Sequence, residues 1–218
     1  MHQYILFDLD GTISDPKVGI CTSVQHALEK MGINPPPIDE LTPFIGPPLR
    51  DSFKQYFGIK DEEMETCISY YRERFSTVGL FENDLYPGIE NMLKTLHDSG
   101  KRLAIASSKP RVFVIKIMEY FHIDQYFDVM MGSELNGTRE SKSEVIDECF
   151  RLLFNGDTPD LSKCVMVGDR KYDIEGAKAM HIPNIAVSYG YGSKEELTAS
   201  GADEIADTVD ELLELLMN

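Results

Sequence analysis

Short apolar runs bounded by turn signals, alternating with helical patterns, constrain this chain more than any other feature of its sequence. The runs are Tyr4–Phe7, Leu103–Ala106, Phe127–Met131, Cys164–Val167 and Ile185–Val187. From Leu103 onward they are separated by helical patterns over Val112–Phe121, Val145–Leu153 and Ile174–Met180, and a last amphipathic run covers Val209–Leu216. A strand that is apolar without alternation needs cover on both faces. Strands of this kind linked by helices form parallel sheets with right-handed crossovers. The expected fold class is therefore α/β, with a parallel sheet between two layers of helix.

The stretch from Pro16 to Asp84 breaks this rhythm. Val18, Cys21, Val24, Leu28 and Met31 recur at helical spacing, and so do Met64, Cys67, Ile68, Tyr71, Phe75 and Val78. Between them lie the breakers Pro35-Pro-Pro37 and Gly46-Pro-Pro48, with a shorter apolar run, Leu49–Phe57, after the second. No segment here reads as a strand. The expected organisation is a core made of 1–15 and 85–218, with an all-helical domain, 16–84, inserted after the first strand.

A net charge of −16 and a pI near 4.6 exclude nucleic-acid polymers and anionic membranes as partners, because the long-range field repels polyanions. A small anion is not excluded, since a local lysine or metal cation can dominate a pocket. Cys21, Cys67, Cys149 and Cys164 sit singly in apolar segments, without the close spacing of a zinc site, and read as buried reduced thiols. The sequence enters its first strand without a basic and apolar leader, and no apolar run approaches a membrane span. The expectation is a cytoplasmic protein, monomeric by default.

The residues suited to chemistry cluster at predicted strand ends. Asp8-Leu-Asp-Gly-Thr12 closes the first strand and places two carboxylates at the rim where ligands of open α/β sheets bind. Ser107-Ser-Lys109 follows the second apolar run, where a hydroxyl and backbone amides can donate to phosphate oxygens. Lys142 lies just before the helical run Val145–Leu153, an electrostatically unfavourable place for a cation without a task. Gly168-Asp169 ends the fourth run, and Asp173 converges with Asp169 if a helical turn begins between them. Carboxylates so placed are hard oxygen ligands suited to Mg²⁺.

In order and placement, Asp8–Thr12, Ser107, Lys142 and Gly168-Asp169 with Asp173 resemble the four motifs of the haloacid dehalogenase superfamily. The inserted helices resemble that superfamily's helical cap, which implies a Rossmann-like three-layer core beneath it. Ile45-Gly-Pro-Pro-Leu-Arg50, Ala106-Ser-Ser-Lys-Pro110 and Ser188-Tyr-Gly-Tyr-Gly192 are similar to segments of phosphoglycolate-phosphatase-like enzymes. Two positions depart from the family pattern. Lys142 is followed by Ser143 rather than proline, which leaves Lys109 as the alternative lysine. Arg170-Lys-Tyr172 between the last acids is bulkier and more basic than usual, either as ion-pair partners or as contacts to an anionic substrate.

The resemblance implies a phosphatase that hydrolyses a small phosphorylated metabolite (phosphoglycolate, a nucleoside monophosphate, a sugar phosphate or pyrophosphate). Asp8 is the implied nucleophile and Asp10 the general acid and base. Mg²⁺ is the implied cofactor, held by the Asp8 side chain, the Asp10 carbonyl, Asp169 and Asp173. Ser107, Lys142 and the backbone amides of Leu9 and Ser108 complete the phosphate cradle, and Arg50 either reads a second anion on the leaving group or is a solvated cation. The alternatives are a phosphomutase of the same family and, from another class, a phospho-accepting signalling or binding module.

Overall fold

The computed structural model describes residues 2–218, which form two compact units, 2–15 with 85–218 and Pro16–Asp84. The chain opens with β1 (Tyr4–Phe7) and the two-residue β2 (Ser14–Asp15), then runs through helices α1 (Lys17–Lys30), α2 (Leu49–Phe57) and α3 (Asp61–Phe75). After β3 (Asp84–Leu85) come α4 (Ile89–Asp98), β4 (Arg102–Pro110), α5 (Arg111–Tyr120), β5 (Val129–Ser133) and α6 (Lys142–Leu153). The order then continues β6 (Cys164–Gly168), α7 (Lys171–Ala179), β7 (Asn184–Val187), α8 (Lys194–Ser200), β8 (Glu204–Ala206) and α9 (Val209–Met217).

In the larger unit a six-stranded sheet runs in the order β5-β4-β1-β6-β7-β8, with every pairing parallel. This is the α/β class expected from the apolar runs. Ile5, Leu6 and Phe7 are fully buried because β1 is central and covered on both faces. Leu6 joins Ala104, Ala106 and Met166 against Val145, Ile146 and Cys149 of α6. Alternation sends Ile5 and Phe7 to the opposite face, where the Phe7 and Phe127 rings meet edge-on at 6.3 Å. The chain steps from β1 outward to β4 and β5, then crosses back to β6 and outward to β8. The strand order therefore reverses at β1 and β6, which is where an open α/β sheet leaves a crevice beyond its carboxyl ends.

Several elements differ from the sequence reading, among them β4, α6 and β8. β4 extends to Pro110, with a register shift between Ser107 and Pro110 where it pairs with β5. Ser107-Ser-Lys109 therefore lies in an irregular strand end, and bulges of this kind re-aim side chains. α6 begins at Lys142 rather than Val145, because Ser141 and Glu144 form a reciprocal capping box. β8, absent from the reading, carries an exposed Glu204 and a half-buried Ile205, so its apolar signal is short.

In the smaller unit, α1 packs against α3, and the described residues between Pro16 and Asn83 contain no strand. Phe44 gathers Phe53, Tyr56 and Phe57 into an aromatic group around the Pro-rich turn. Arg74 grips Glu82 through two hydrogen bonds of 2.7 and 2.9 Å. All four cysteines of the chain are buried and unbridged. Among the described residues, no helix is long and apolar enough to cross a membrane.

Candidate active site

The site is built around the turn that leaves β1. The Asp8 N–H donates to the Val167 carbonyl of β6 at 2.8 Å, so Asp8 is the last rung between the two strands. The Leu9 carbonyl then accepts from Ile13 at 2.9 Å and Ser14 at 3.0 Å, which closes a tight turn. Gly11 takes φ +86°, and a Cβ there would overlap the Asp169 carboxylate. Both demands select glycine.

Lys142 reaches this turn from the start of α6, and a Cβ on Gly176 would come within 2.7 Å of its stem. Its ammonium donates to the Ala106 carbonyl at 2.9 Å and lies 3.0 Å from Asp8 Oδ1 and 2.8 Å from Asp173 Oδ1. The Leu9 amide donates to the same Asp8 oxygen at 2.7 Å. Asp173 sits in the first turn of α7, where its Oδ2 accepts the Arg170 N–H at 3.1 Å. Asp169, at the end of β6, accepts the Tyr191 N–H on Oδ2 at 2.7 Å, and its Oδ1 lies 3.4 Å from Thr12 Oγ1.

Lys109 forms a second buried pair. Its ammonium lies 2.8 and 2.7 Å from the two oxygens of Asp10. The sequence treats Lys109 only as a substitute for Lys142, yet the fold brings both lysines in, each to a different carboxylate. Lys109 follows two serines at the end of β4, and nothing in its spacing along the chain singles it out over Lys142. Ser107 is buried beside them and accepts the Lys109 N–H at 3.3 Å, while the Ser108 carbonyl accepts from Ser133 at 2.8 Å.

Burial raises the Asp10 carboxyl above its ordinary pKa, against the pull of Lys109. Burial, then Asp173 and Asp8, push Asp169 well up. Asp173 rises to about 6, chiefly through burial and against the opposing charge of Lys142. Burial works against charge on Lys142 as well, but Asp173 and Asp8 hold its ammonium firmly protonated. Asp8, Asp169 and Asp173 each bring an oxygen within 4.8 Å of the others. Three buried carboxylates with one lysine among them leave unneutralised charge on hard oxygen donors. That donor set fits Mg²⁺.

Two other sequence candidates have partners of their own. Arg170 pairs with Glu196 at 3.0 Å, and the Lys171 N–H donates to the same carboxylate at 2.9 Å, as the ion-pair reading of that basic run expects. Arg50 opens the first turn of α2, and its guanidinium pairs with Glu65 of α3 within the helical unit.

A sequence model of haloacid dehalogenase-like hydrolases matches residues 5–187. The chain belongs to that family. Among its relatives is a 5′-nucleotidase from Pseudomonas aeruginosa, 43% identical over 91% of this chain and 88% of the relative. The tyrosine-protein kinase PtkA of Mycobacterium tuberculosis is 36% identical over 98% of this chain and 72% of the kinase. A predicted phosphatase from Clostridium acetobutylicum, known by crystal structure, superposes with a TM-score of 0.95 at 41% identity, covering 100% of this chain and 99% of the other.

Proposed function

We propose that this protein hydrolyses small phosphomonoesters, nucleoside monophosphates foremost, through a phosphoryl group carried on Asp8. One observation carries the reading. Asp8 lies at the strand-order reversal with Lys142 at 3.0 Å, and Asp10, two residues on, is buried against Lys109. A carboxylate at that crevice, backed by cations, is placed to meet a phosphate in a body whose net charge is otherwise −16.

In the first step an Asp8 oxygen forms a bond to phosphorus as the bond to the leaving oxygen breaks, and Asp10 gives that oxygen its proton. In the second, water attacks phosphorus, Asp10 takes the water's proton, and the Asp8–phosphorus bond breaks to release inorganic phosphate. The raised Asp10 pKa suits a group that must hold a proton at the start. Ser107, Lys142 and the Leu9 and Ser108 amides bind the phosphoryl oxygens. Asp8, Asp169, Asp173 and the Asp10 carbonyl hold Mg²⁺, which when bound neutralises charge on the transferring group.

In this reading the 16–84 unit is the family's helical cap, and Arg50 is the cation offered to a second anion on the leaving group. The 43%-identical 5′-nucleotidase supports the choice of nucleoside monophosphates over phosphoglycolate or sugar phosphates. The 36%-identical mycobacterial kinase supports a second reading, in which a protein tyrosine rather than water receives the phosphoryl group. A panel of phosphorylated metabolites, assayed for free phosphate with Mg²⁺, tests both. Steady release from at least one monoester is expected. No release from any, with phosphotyrosine formed on added protein, would replace the hydrolase reading by the kinase one.

A further inference from the structure

The Ser188-Tyr-Gly-Tyr-Gly192 run after β7 takes no part in the chemistry assigned to Asp8 and Asp10, yet it encloses Asp169. The Tyr191 N–H bonds Asp169 Oδ2 at 2.7 Å. A Cβ on Gly190 would overlap both the Asp169 side chain and the Gly11 carbonyl, and a Cβ on Gly192 would overlap the Asp169 carbonyl. The two glycines therefore let backbone lie directly on Asp169, where no other residue fits.

The tyrosines fasten this segment to the turn after β1. Tyr189 donates its hydroxyl to the Thr12 carbonyl at 3.0 Å, and its ring packs on Tyr86 at 5.0 Å between centroids. Tyr191 donates its hydroxyl to Asp15. Both partner residues belong to the chain that carries Asp8 and Asp10. The segment thus ties the carboxylate at the end of β6 to the turn at the end of β1 by a fixed hydrogen-bonded path.

We infer that Tyr189–Gly192 is the positioning segment for Asp169, and that it sets how tightly the protein holds its divalent cation. The inference rests on the proposed role of Asp169 as a cation ligand. A buried carboxylate that can rotate loses affinity for a cation, and outer-shell partners of ligands commonly contribute about 10- to 100-fold. The alternative is a close-packed turn between β7 and α8 that matters for stability alone. The two differ in what they predict for the cation.

The test is Mn²⁺ binding, read as free Mn²⁺ by electron paramagnetic resonance, on wild type, Gly190→Ala, Tyr189→Phe and Asp169→Ala. Gly190→Ala should weaken binding at least about tenfold. Tyr189→Phe, which keeps the ring and loses one hydrogen bond, should weaken it about three- to tenfold. At saturating cation, KM for p-nitrophenyl phosphate should stay near the wild-type value in both, and high Mg²⁺ should restore turnover. Wild-type Mn²⁺ affinity in folded Gly190→Ala or in Tyr189→Phe, with affinity lost in Asp169→Ala, would overturn this inference and leave the cation site standing. If Gly190→Ala does not fold, Tyr189→Phe decides alone by the same criterion. Unchanged affinity in Asp169→Ala would overturn the cation role of Asp169 and the inference with it.

Discussion

Lys142→Met removes one positive charge from between two buried carboxylates and little else. The methionine stem still fits along Gly176, where any side chain on α7 would collide with it. What disappears is the ammonium lying 3.0 Å from Asp8 and 2.8 Å from Asp173, with its bond to the Ala106 carbonyl. Breaking a buried pair by deleting one partner costs about 3–5 kcal/mol, because the remaining charge is left without compensation. In a protein of this size each kcal/mol moves Tm by about 2–4 °C, so the expected loss is about 6–20 °C. The measurement is thermal unfolding by circular dichroism in EDTA, repeated in Mg²⁺. The cation should recover more stability in the variant than in wild type, since it neutralises the same carboxylates. Turnover should fall by at least about 100-fold, as when a preorganised donor to developing charge is removed. A Tm within about 2 °C of wild type in EDTA, the level expected of an exposed ion pair, would refute the charge argument.

A second prediction follows from Asp173, whose carboxyl titrates at about 6 in the folded chain against an ordinary 3.8. The folded state then holds the proton to higher pH than the unfolded state. In EDTA this contribution to stability is complete below the ordinary value and is lost as pH rises through about 6, which urea unfolding should show as a steeper fall in wild type than in Asp173→Asn, where the raised carboxyls of Asp10 and Asp169 still contribute. Arg50→Ala should lower kcat/KM by roughly 10- to 150-fold on a substrate whose leaving group carries a second anion, and little on p-nitrophenyl phosphate. Equal effects on the two would remove Arg50 from substrate reading. Ser141→Ala breaks the capping box at the start of α6 and should cost about 1 kcal/mol, measured by urea unfolding. A loss near zero would place the start of α6 under tertiary control.

The sheet was legible because its central strands are buried on both faces and read as unbroken apolar runs. β8 escaped because Glu204-Ile-Ala206 is three residues at a sheet edge, where one face needs no apolar cover. α4 carries Ile89, Met92, Leu93 and Leu96 at helical spacing, so the sequence does hold a signal for it. Asp8, Asp169, Asp173 and Lys142, named from their places at element ends, are brought within ion-pair or ligand distance by the fold. The Lys109–Asp10 pair was not legible, because spacing along the chain cannot say which of two lysines meets which carboxylate. That depends on the irregular end of β4, which is set by its pairing with β5. The packing of Gly190 on Asp169 was hidden for the same reason, since the two lie 21 positions apart (190 − 169).

The central claim is that Asp8 carries the phosphoryl group, and acid quenching during steady turnover tests it most directly. An aspartyl phosphate trapped in this way is reduced by borohydride to homoserine, which peptide mass spectrometry locates. The expected result is homoserine at position 8 in wild type, and neither homoserine nor turnover in Asp8→Asn. Full turnover in Asp8→Asn, or the reduced residue at any other position, would contradict the account.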